Sequence, residues 1–337
     1  MSSSTRVPLS ILDLSPASAG RTRRDALQDT TALAQAADRL GYERYWVAEH
    51  HGSETFMSSA TALILGHLAD HTERIRLGSG GVMLPNHAPL MVAEYYGTLA
   101  TLYGDRFDLG LGRAPGTDPR TAAALRRGTG ELDTFVQDVV ELHGYLADPD
   151  PEAPARVRAI PGEGTKVPLW MLGSSLGGAS VAAYLGLPFA FASHFAPQAL
   201  SAAIAHYREH FDASAPTAQV DRPYVMAGVN VLVAPTQDEA DLLATTAQQM
   251  AVRIRTGGRG PLDPPQAGYL HSLPPQVRAV VAEHQAVRAI GTPERVVTEL
   301  EAIVAHHGLD EVITTTYTHD PAQRIRSYEL LAEAWRA

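Results

Sequence analysis

The feature that most constrains this chain is an alternation sustained from end to end. Short apolar runs fall at residues 8–14, 45–49, 75–84, 107–112, 168–172, 189–193, 225–234 and 311–317. Between them lie helix-like stretches at 24–40, 58–71, 89–103, 121–146, 178–185, 197–211, 237–255 and 293–306, and residues 328–335 close the chain. Near-continuous apolar runs of this length suit strands buried on both faces, with helices covering one side. Eight strand–helix units predict an α/β fold of the (β/α)8 TIM-barrel type. A doubly wound open sheet has the same periodicity and is the rival. No stretch reads as an interdomain linker, so residues 1–337 are expected to form a single domain.

Three segments break the rhythm. The Ser-rich start, residues 1–6, is expected to be disordered and lacks the apolar run of a signal peptide. Residues 148–165 read as a solvated connection. Residues 256–275, after the seventh strand, are long, Gly/Pro-rich and aperiodic, as expected of a mobile lid over the barrel mouth.

Composition excludes several functions. The chain has no cysteine, which removes disulfides, thiolate metal sites and a cysteine nucleophile. A net charge of −10 argues against a broad electrostatic grip on nucleic acid. No apolar stretch approaches a membrane span, so a cytoplasmic protein that binds no membrane is expected. Of the 27 basic residues one is lysine, Lys166, and the other 26 are arginines whose roles must be argued position by position.

Four constellations carry chemistry. Glu49-His50-His51 ends the second strand; adjacent side chains there point to opposite sides, so one imidazole faces the barrel axis as an acid, base or hydrogen-bond donor. A zinc site needs about three ligands, and no metal site is expected. Gly78-Ser79-Gly80-Gly81 lies inside the third strand, where glycines mark a bulge, a tight barrel corner or a close approach to something flat. Gly110-Leu111-Gly112-Arg113-Ala114-Pro115-Gly116 ends the fourth strand; Pro115 spoils the dinucleotide fingerprint, and Arg113 reads as a phosphate fork or a surface ion pair. Gly173-Ser174-Ser175-Leu176-Gly177-Gly178 joins the fifth strand to a helix. It fits a nucleophile elbow, with Asp310 and His319 downstream in the right order, but fits better an anion cradle at a helix N-terminus.

Taken together, these residues resemble the bacterial luciferase-like, flavin-dependent monooxygenases. The resemblance rests on Trp46-Val47-Ala48-Glu49-His50-His51, on the run from Arg74 to Pro89, and on Gly104-Asp105-Arg106-Phe107-Asp108-Leu109-Gly110-Leu111-Gly112-Arg113. Order and spacing match from about residue 9 to residue 194.

The resemblance implies FMN, in its reduced form, across the C-terminal mouth of the barrel. Its phosphate would meet Arg113, Ser174 and Ser175 and the amides of Gly177 and Gly178. A cis peptide would join Gly80 to Gly81 under the flavin ring, and His50 would be the catalytic imidazole. Gly112 stands where some relatives carry a cysteine, and Ser174 where some carry an acid. Asp13, His87 and His319, near strand ends, would line the substrate side. The implied activity is a two-component monooxygenase. A separate flavin reductase supplies reduced FMN, which with O2 oxygenates a small organic substrate, of the secondary-metabolite kind, through a flavin C4a-peroxide. Hydride transfer with the deazaflavin F420 is the alternative on the same fold, and a flavin-binding protein without turnover is the second. A homodimer is implied as well.

Overall fold

The computed structural model describes residues 6–113, 119–125, 134–152, 157–284 and 286–337. Nine parallel strands form one sheet: β1 (Leu9–Asp13), β2 (Arg44–Val47), β3 (Arg76–Met83), β4 (Phe107–Gly112), β5 (Leu169–Gly173), β6 (Phe189–Phe191), β7 (Val225–Val233), β8 (Arg288–Gly291) and β9 (Glu311–Thr315). Eight of them close a ring, because β6 pairs with the start of β7, β7 pairs with β9, and β9 pairs with β1. Closure settles the choice against an open sheet.

Alternation along the strands sorts the core into two layers. Ile11, Tyr45, Val47, Leu77 and Leu109 point out into the layer shared with the helices. Leu12, Trp46, Trp170, Ala190, Met226 and Ile313 fill the barrel interior. Trp46 and Trp170 meet edge to face at 5.2 Å, and Arg44 lies 4.8 Å over the Trp170 ring. Below them Arg44 bridges Asp108 (2.8 Å) and Glu311 (3.0 Å), closing the N-terminal end with paired charges.

The elements follow as the periodicity predicts, with four differences. The expected long helix at 121–146 is divided: α4 (Pro119–Ala124) and α5 (Phe135–Leu146) lie in it, and residues 126–133 lie outside the described ones. Strand β8 was not legible, being four residues with an arginine at its start; it pairs with the last part of β7 (Asn230–Val233), beyond the residues that pair with β9. Within and after 256–275 lie two helices, α9 (Tyr269–Ser272) and α10 (Pro275–His284). The last helix, α12 (Pro321–Arg336), begins seven residues before the expected 328, where Asp320 accepts from the Ala322 amide at 2.9 Å and Pro321 occupies the first turn. The remaining helices are α1 (Arg23–Arg39), α2 (Thr61–Ala69), α3 (Pro89–Tyr103), α6 (Leu176–Tyr184), α7 (Leu200–His210), α8 (Gln237–Arg255) and α11 (Pro293–His307).

The C-terminal mouth is roofed by loops that hydrogen-bond one another. The Ala17 amide donates to the Thr55 carbonyl (2.8 Å), and Met57 N–H to Ser15 (3.0 Å). The expected lid is docked onto them: the Leu262 amide donates to Ala17 (2.7 Å), Ala19 donates to Leu262 (2.8 Å), and the Thr55 hydroxyl donates to Gly260 (2.7 Å). Leu262 itself is fully buried. At the N-terminus, residues 1–5 lie outside the described ones, whereas Arg6, expected to be disordered, bonds Glu301 at 2.7 Å and the carbonyls of Ala334 and Trp335. No helix among the described residues is long and apolar enough to cross a membrane.

Candidate active site

The turn from β5 to α6 is built to leave donors free. Ser175 is the N-cap in an extended conformation, yet its side chain does not cap the helix. A helix start without a side-chain cap leaves its first amides, here those of Leu176, Gly177 and Gly178, facing outward with the positive end of the helix dipole. Arg113, at the end of β4 on the neighbouring strand, lays its guanidinium on this turn. A Cβ added to Gly177 would stand 2.9 Å from Arg113 Nη2. Gly173 and Gly178 also pack backbone to backbone, since a Cβ on Gly178 would come within 2.9 Å of the Gly173 Cα. Ser174 is half-buried and Ser175 exposed. The structure therefore brings Arg113, Ser175, Gly177 and Gly178 to one place, an amide-lined turn with a guanidinium above it.

The elbow alternative fails on topology. Ser175 follows β5 at the C-terminal end of the barrel, whereas Asp310 precedes β9 at the opposite end. There Asp310 accepts from the Val225 amide (2.9 Å) and Arg222 (3.2 Å), so no Ser–His–Asp array assembles.

The third-strand glycines have a packing cause. The Gly80–Gly81 peptide is cis. A Cβ on Gly78 would stand 2.6 Å from Trp46 Nε1, one on Gly80 would collide with Leu12 Cδ1, and one on Gly81 would stand 2.7 Å from the Gly110 carbonyl. The β3–β4 register shifts between Ser79 and Val82, as a bulge requires. Crowding by Trp46, Leu12 and β4 is sufficient reason for these glycines, without a flat ligand.

His50 lies over the interior cluster. Two residues beyond Ala48 on the same side of the chain, it packs 5.1 Å from the Phe56 ring and donates its amide to Ser58 at 2.8 Å. Burial pulls its pKa down to about 4, against the nearby Glu49 carboxylate, which raises it, and with the His51 imidazole, which lowers it further. At neutral pH the ring is uncharged. Its Nδ1 is buried and has no hydrogen-bond partner among the described residues. A neutral imidazole carries one acceptor nitrogen, so His50 is equipped to take a proton or hold a donor rather than to act as a charged acid.

Glu49 points the other way, toward β3. Its Oε1 accepts from His51 Nε2 (2.7 Å) and His87 Nε2 (2.9 Å), and its Oε2 from the Met83 amide (3.1 Å). Sequence reasoning singled out His50 and missed Glu49 and His51 as a unit, because the partner that completes it, His87, arrives from the turn after β3. Burial would raise the Glu49 pKa, but the His87 and His51 bonds and the Met83 amide bring it below the ordinary range.

One of the expected substrate-side residues, Asp13, is placed differently from the expectation. Asp13 is fully buried and faces the helices, where it accepts from Arg324 Nη2 (2.7 Å), the Tyr45 hydroxyl (2.5 Å), the Thr30 hydroxyl (2.7 Å) and the Ser15 amide (2.8 Å). It is one residue out of phase with Leu12, which faces the interior, and so cannot line the mouth. His319 does lie at the mouth, but its Nε2 is bonded to the Ala19 carbonyl at 3.0 Å and ties the β9 end to the β1 loop. A cleft of about 900 Å³ opens at the other end of the barrel, lined by Arg44, Arg76, Asp108, Trp170 and Tyr224. Its arginines are already paired with Asp108 and Glu311, so it reads as a charged plug.

A closed parallel barrel with a guanidinium and uncapped helix amides at its C-terminal mouth defines a (β/α)8 protein with an anion-complementary turn beside its mouth. Residues 7–311 match the luciferase-like monooxygenase family, and the chain belongs to that family. It is 43% identical over 325 residues to a luciferase-like monooxygenase of Escherichia coli, covering 96% of each chain. It is 32% identical over 334 residues to N-acetyl-S-alkylcysteine monooxygenase of Bacillus subtilis, covering 97% of this chain and 98% of that one. Among solved structures, apo-MsnO8 superposes with a TM-score of 0.90 at 35% identity, covering 98% of this chain and 99% of that one. Two more distant structures share the fold alone: a diketocamphane monooxygenase constituent in complex with FMN (15% identity, TM-score 0.69, covering 97% of each chain) and an F420-dependent secondary alcohol dehydrogenase with an F420–acetone adduct (16%, 0.68, covering 98% of this chain and all of that one).

Proposed function

We propose that this protein is a two-component monooxygenase that uses reduced FMN and O2 to oxygenate a small organic substrate. The observation that carries the reading is the guanidinium of Arg113 over the uncapped start of α6. A terminal phosphate fits that place: it would accept from the fork and from the Gly177 and Gly178 amides, and the helix dipole favours its charge. When bound, the flavin supplies the redox chemistry with oxygen. The chain's own part is to bind, orient and exclude water. His50, uncharged and with a buried open Nδ1, would accept a proton or hold a substrate hydroxyl there. The docked 256–275 segment, with Leu262 buried beneath it, would keep water from the mouth.

The chain carries no dinucleotide fingerprint, which supports a separate reductase as the source of reduced flavin. A homodimer is supported by the exposed apolar side chains of Leu63 on α2 and of Tyr95 and Leu102 on α3. Anaerobic titration with reduced FMN tests the assignment. Binding that is lost in Arg113→Ala, together with oxygen uptake that is lost in His50→Ala, is expected. Binding of F420 without binding of FMN would replace the monooxygenase by a hydride-transfer enzyme. Oxygen uptake unchanged in His50→Ala but abolished in Arg113→Ala would leave a flavin binder.

A further inference from the structure

One group of side chains at the mouth has no part in the phosphate cradle and is built more tightly than a surface cluster. Glu49, His51 and His87 bring a carboxylate oxygen and two imidazole nitrogens within 4.8 Å of one another. The two imidazole nitrogens share a single oxygen, Glu49 Oε1, at 2.7 and 2.9 Å. The carboxylate is buried, with 1% of its side chain exposed, whereas His51 and His87 keep 16% and 29%. The group is thus anchored by its buried carboxylate, and both imidazoles are partly exposed.

Its placement is fixed by backbone. Glu49 and His51 leave the end of β2, and His87 leaves the short turn after β3, where its amide donates to the Leu84 carbonyl at 2.9 Å. The pairing of β2 with β3 sets the distance between them. The second carboxylate oxygen is held by the Met83 amide at 3.1 Å, so an ion would take Oε1 in place of its two imidazole bonds. No arginine or lysine bonds to Glu49 among the described residues. Buried carboxylates are ordinarily paired with a cation or a metal.

The donor set decides what cation it suits. Two imidazoles and one carboxylate favour zinc, iron(II) or cobalt(II) over magnesium and calcium, which take all-oxygen shells. Three protein ligands with open positions are the arrangement of non-structural sites. Metal bonds of about 2.0–2.2 Å at near-tetrahedral angles separate ligand atoms by roughly 3.3 Å. The observed imidazole–carboxylate distances of 2.7 and 2.9 Å therefore need to open by only about half an ångström, within reach of small side-chain rotations. In the ion-bound form each imidazole would turn its Nε2 lone pair to the ion and carry its proton on Nδ1.

We propose that Glu49, His51 and His87 form a binding site for one divalent transition ion of the zinc class, at the mouth of the barrel beside His50. The inference does not depend on flavin binding and is tested without flavin. Chelator-treated full-length protein is titrated with cobalt(II), and the ligand-field bands of a low-coordinate nitrogen–oxygen site are followed, with zinc as competitor. The exposed pairs His67/His71 and His206/His210, one helical turn apart, are potential weak chelators, so the titrations use a background carrying His71→Ala and His210→Ala. One equivalent of tight binding is expected in that background. His87→Ala should weaken it by more than the about 10- to 100-fold that loss of an outer-shell partner costs. Glu49→Gln, which keeps shape and an acceptor, should weaken it comparably while far-UV circular dichroism and the melting temperature report that the fold persists. Binding that is no tighter than millimolar, or that is the same in His51→Ala, His87→Ala and their parent, overturns the proposal and leaves a carboxylate that only orients two imidazoles.

Discussion

The guanidinium of Arg113 rests on the backbone of Gly177, at a distance where a single added methyl group would stand 2.9 Å from Nη2. Gly177→Ala therefore separates binding from stability. Alanine is a better helix former than glycine by about 1 kcal/mol, so the melting temperature should hold or rise slightly. The displaced guanidinium should weaken binding of reduced FMN about tenfold, measured by anaerobic fluorescence titration. Unchanged affinity would show that the phosphate does not lie between Arg113 and α6.

Gly110 tests the packing account of the glycines. A Cβ there would collide with the Ser79 carbonyl oxygen and stand 2.7 Å from Leu172 Cδ1, and the nearer of these is backbone. Gly110→Ala should cost about 3 kcal/mol or more in urea unfolding, as overpacking in a rigid core does. Gly112, whose Cβ would meet Val82 O only at 3.8 Å, is the control, and Gly112→Ala should change stability by less than about 0.5 kcal/mol. Equal effects at the two positions would contradict the crowding described between β3 and β4.

Asp13 joins the first strand to the last helix through Arg324, two residues 311 apart in sequence. Burial raises its pKa, but the Arg324 charge and the Tyr45, Arg324 and Thr30 bonds outweigh that and leave it below the ordinary value. The sign of the pH effect follows. The stability it contributes is present above the unfolded value of about 3.9 and is lost as pH falls through the lower folded value. Asp13→Asn leaves a buried guanidinium uncompensated and should cost about 3–5 kcal/mol at pH 7. Urea unfolding between pH 3 and 7 should show a shallower acid slope in the variant than in the parent. An identical slope would assign the acid dependence to other carboxylates.

The fold was legible because its information is periodic and local. Apolar strands and amphipathic helices announce themselves within a dozen residues, and every one of the eight barrel strands was found within a few residues of its observed bounds. What was not legible depends on phase or on tertiary partners. β8 is too short and too polar at its start to stand out, and it exists because the exposed edge of β7 accepts it. Asp13 was read as facing the mouth although Leu12, its neighbour, takes the interior; a one-residue phase error moves a side chain to the other face. The proximity of Arg113 to Gly177 comes from two contiguous motifs on adjacent strands and is therefore the kind of contact a sequence can suggest. The Glu49–His87 contact spans 38 residues and is created only by the turn after β3.

The docking of residues 256–275 yields the last prediction. Leu262 is fully buried among the interior side chains, and its backbone bonds to Ala17 and Ala19 make a strand-like bridge to the β1 loop. The segment's other anchors are the Gly260 carbonyl, held by Thr55, and Asp263, paired with Arg253. Leu262→Ala removes the buried anchor and its packing on the interior cluster but leaves every strand pairing in place, at a cost of about 2–5 kcal/mol wherever the opening is felt. If the segment opens as its own unit, the cost falls on local opening: the amides of Ala19 and Leu262 should lose hydrogen-exchange protection while those of β1 and β9 keep theirs. The melting temperature should then change little, and limited proteolysis should cut first within 256–275. If protection falls equally along the barrel strands, the segment is part of the global core and not a separable cover. In the first case, if the proposed function holds, the same variant should raise the KM for flavin with little loss of kcat, because the cover would govern occupancy of the mouth and not the proposed proton acceptor, His50.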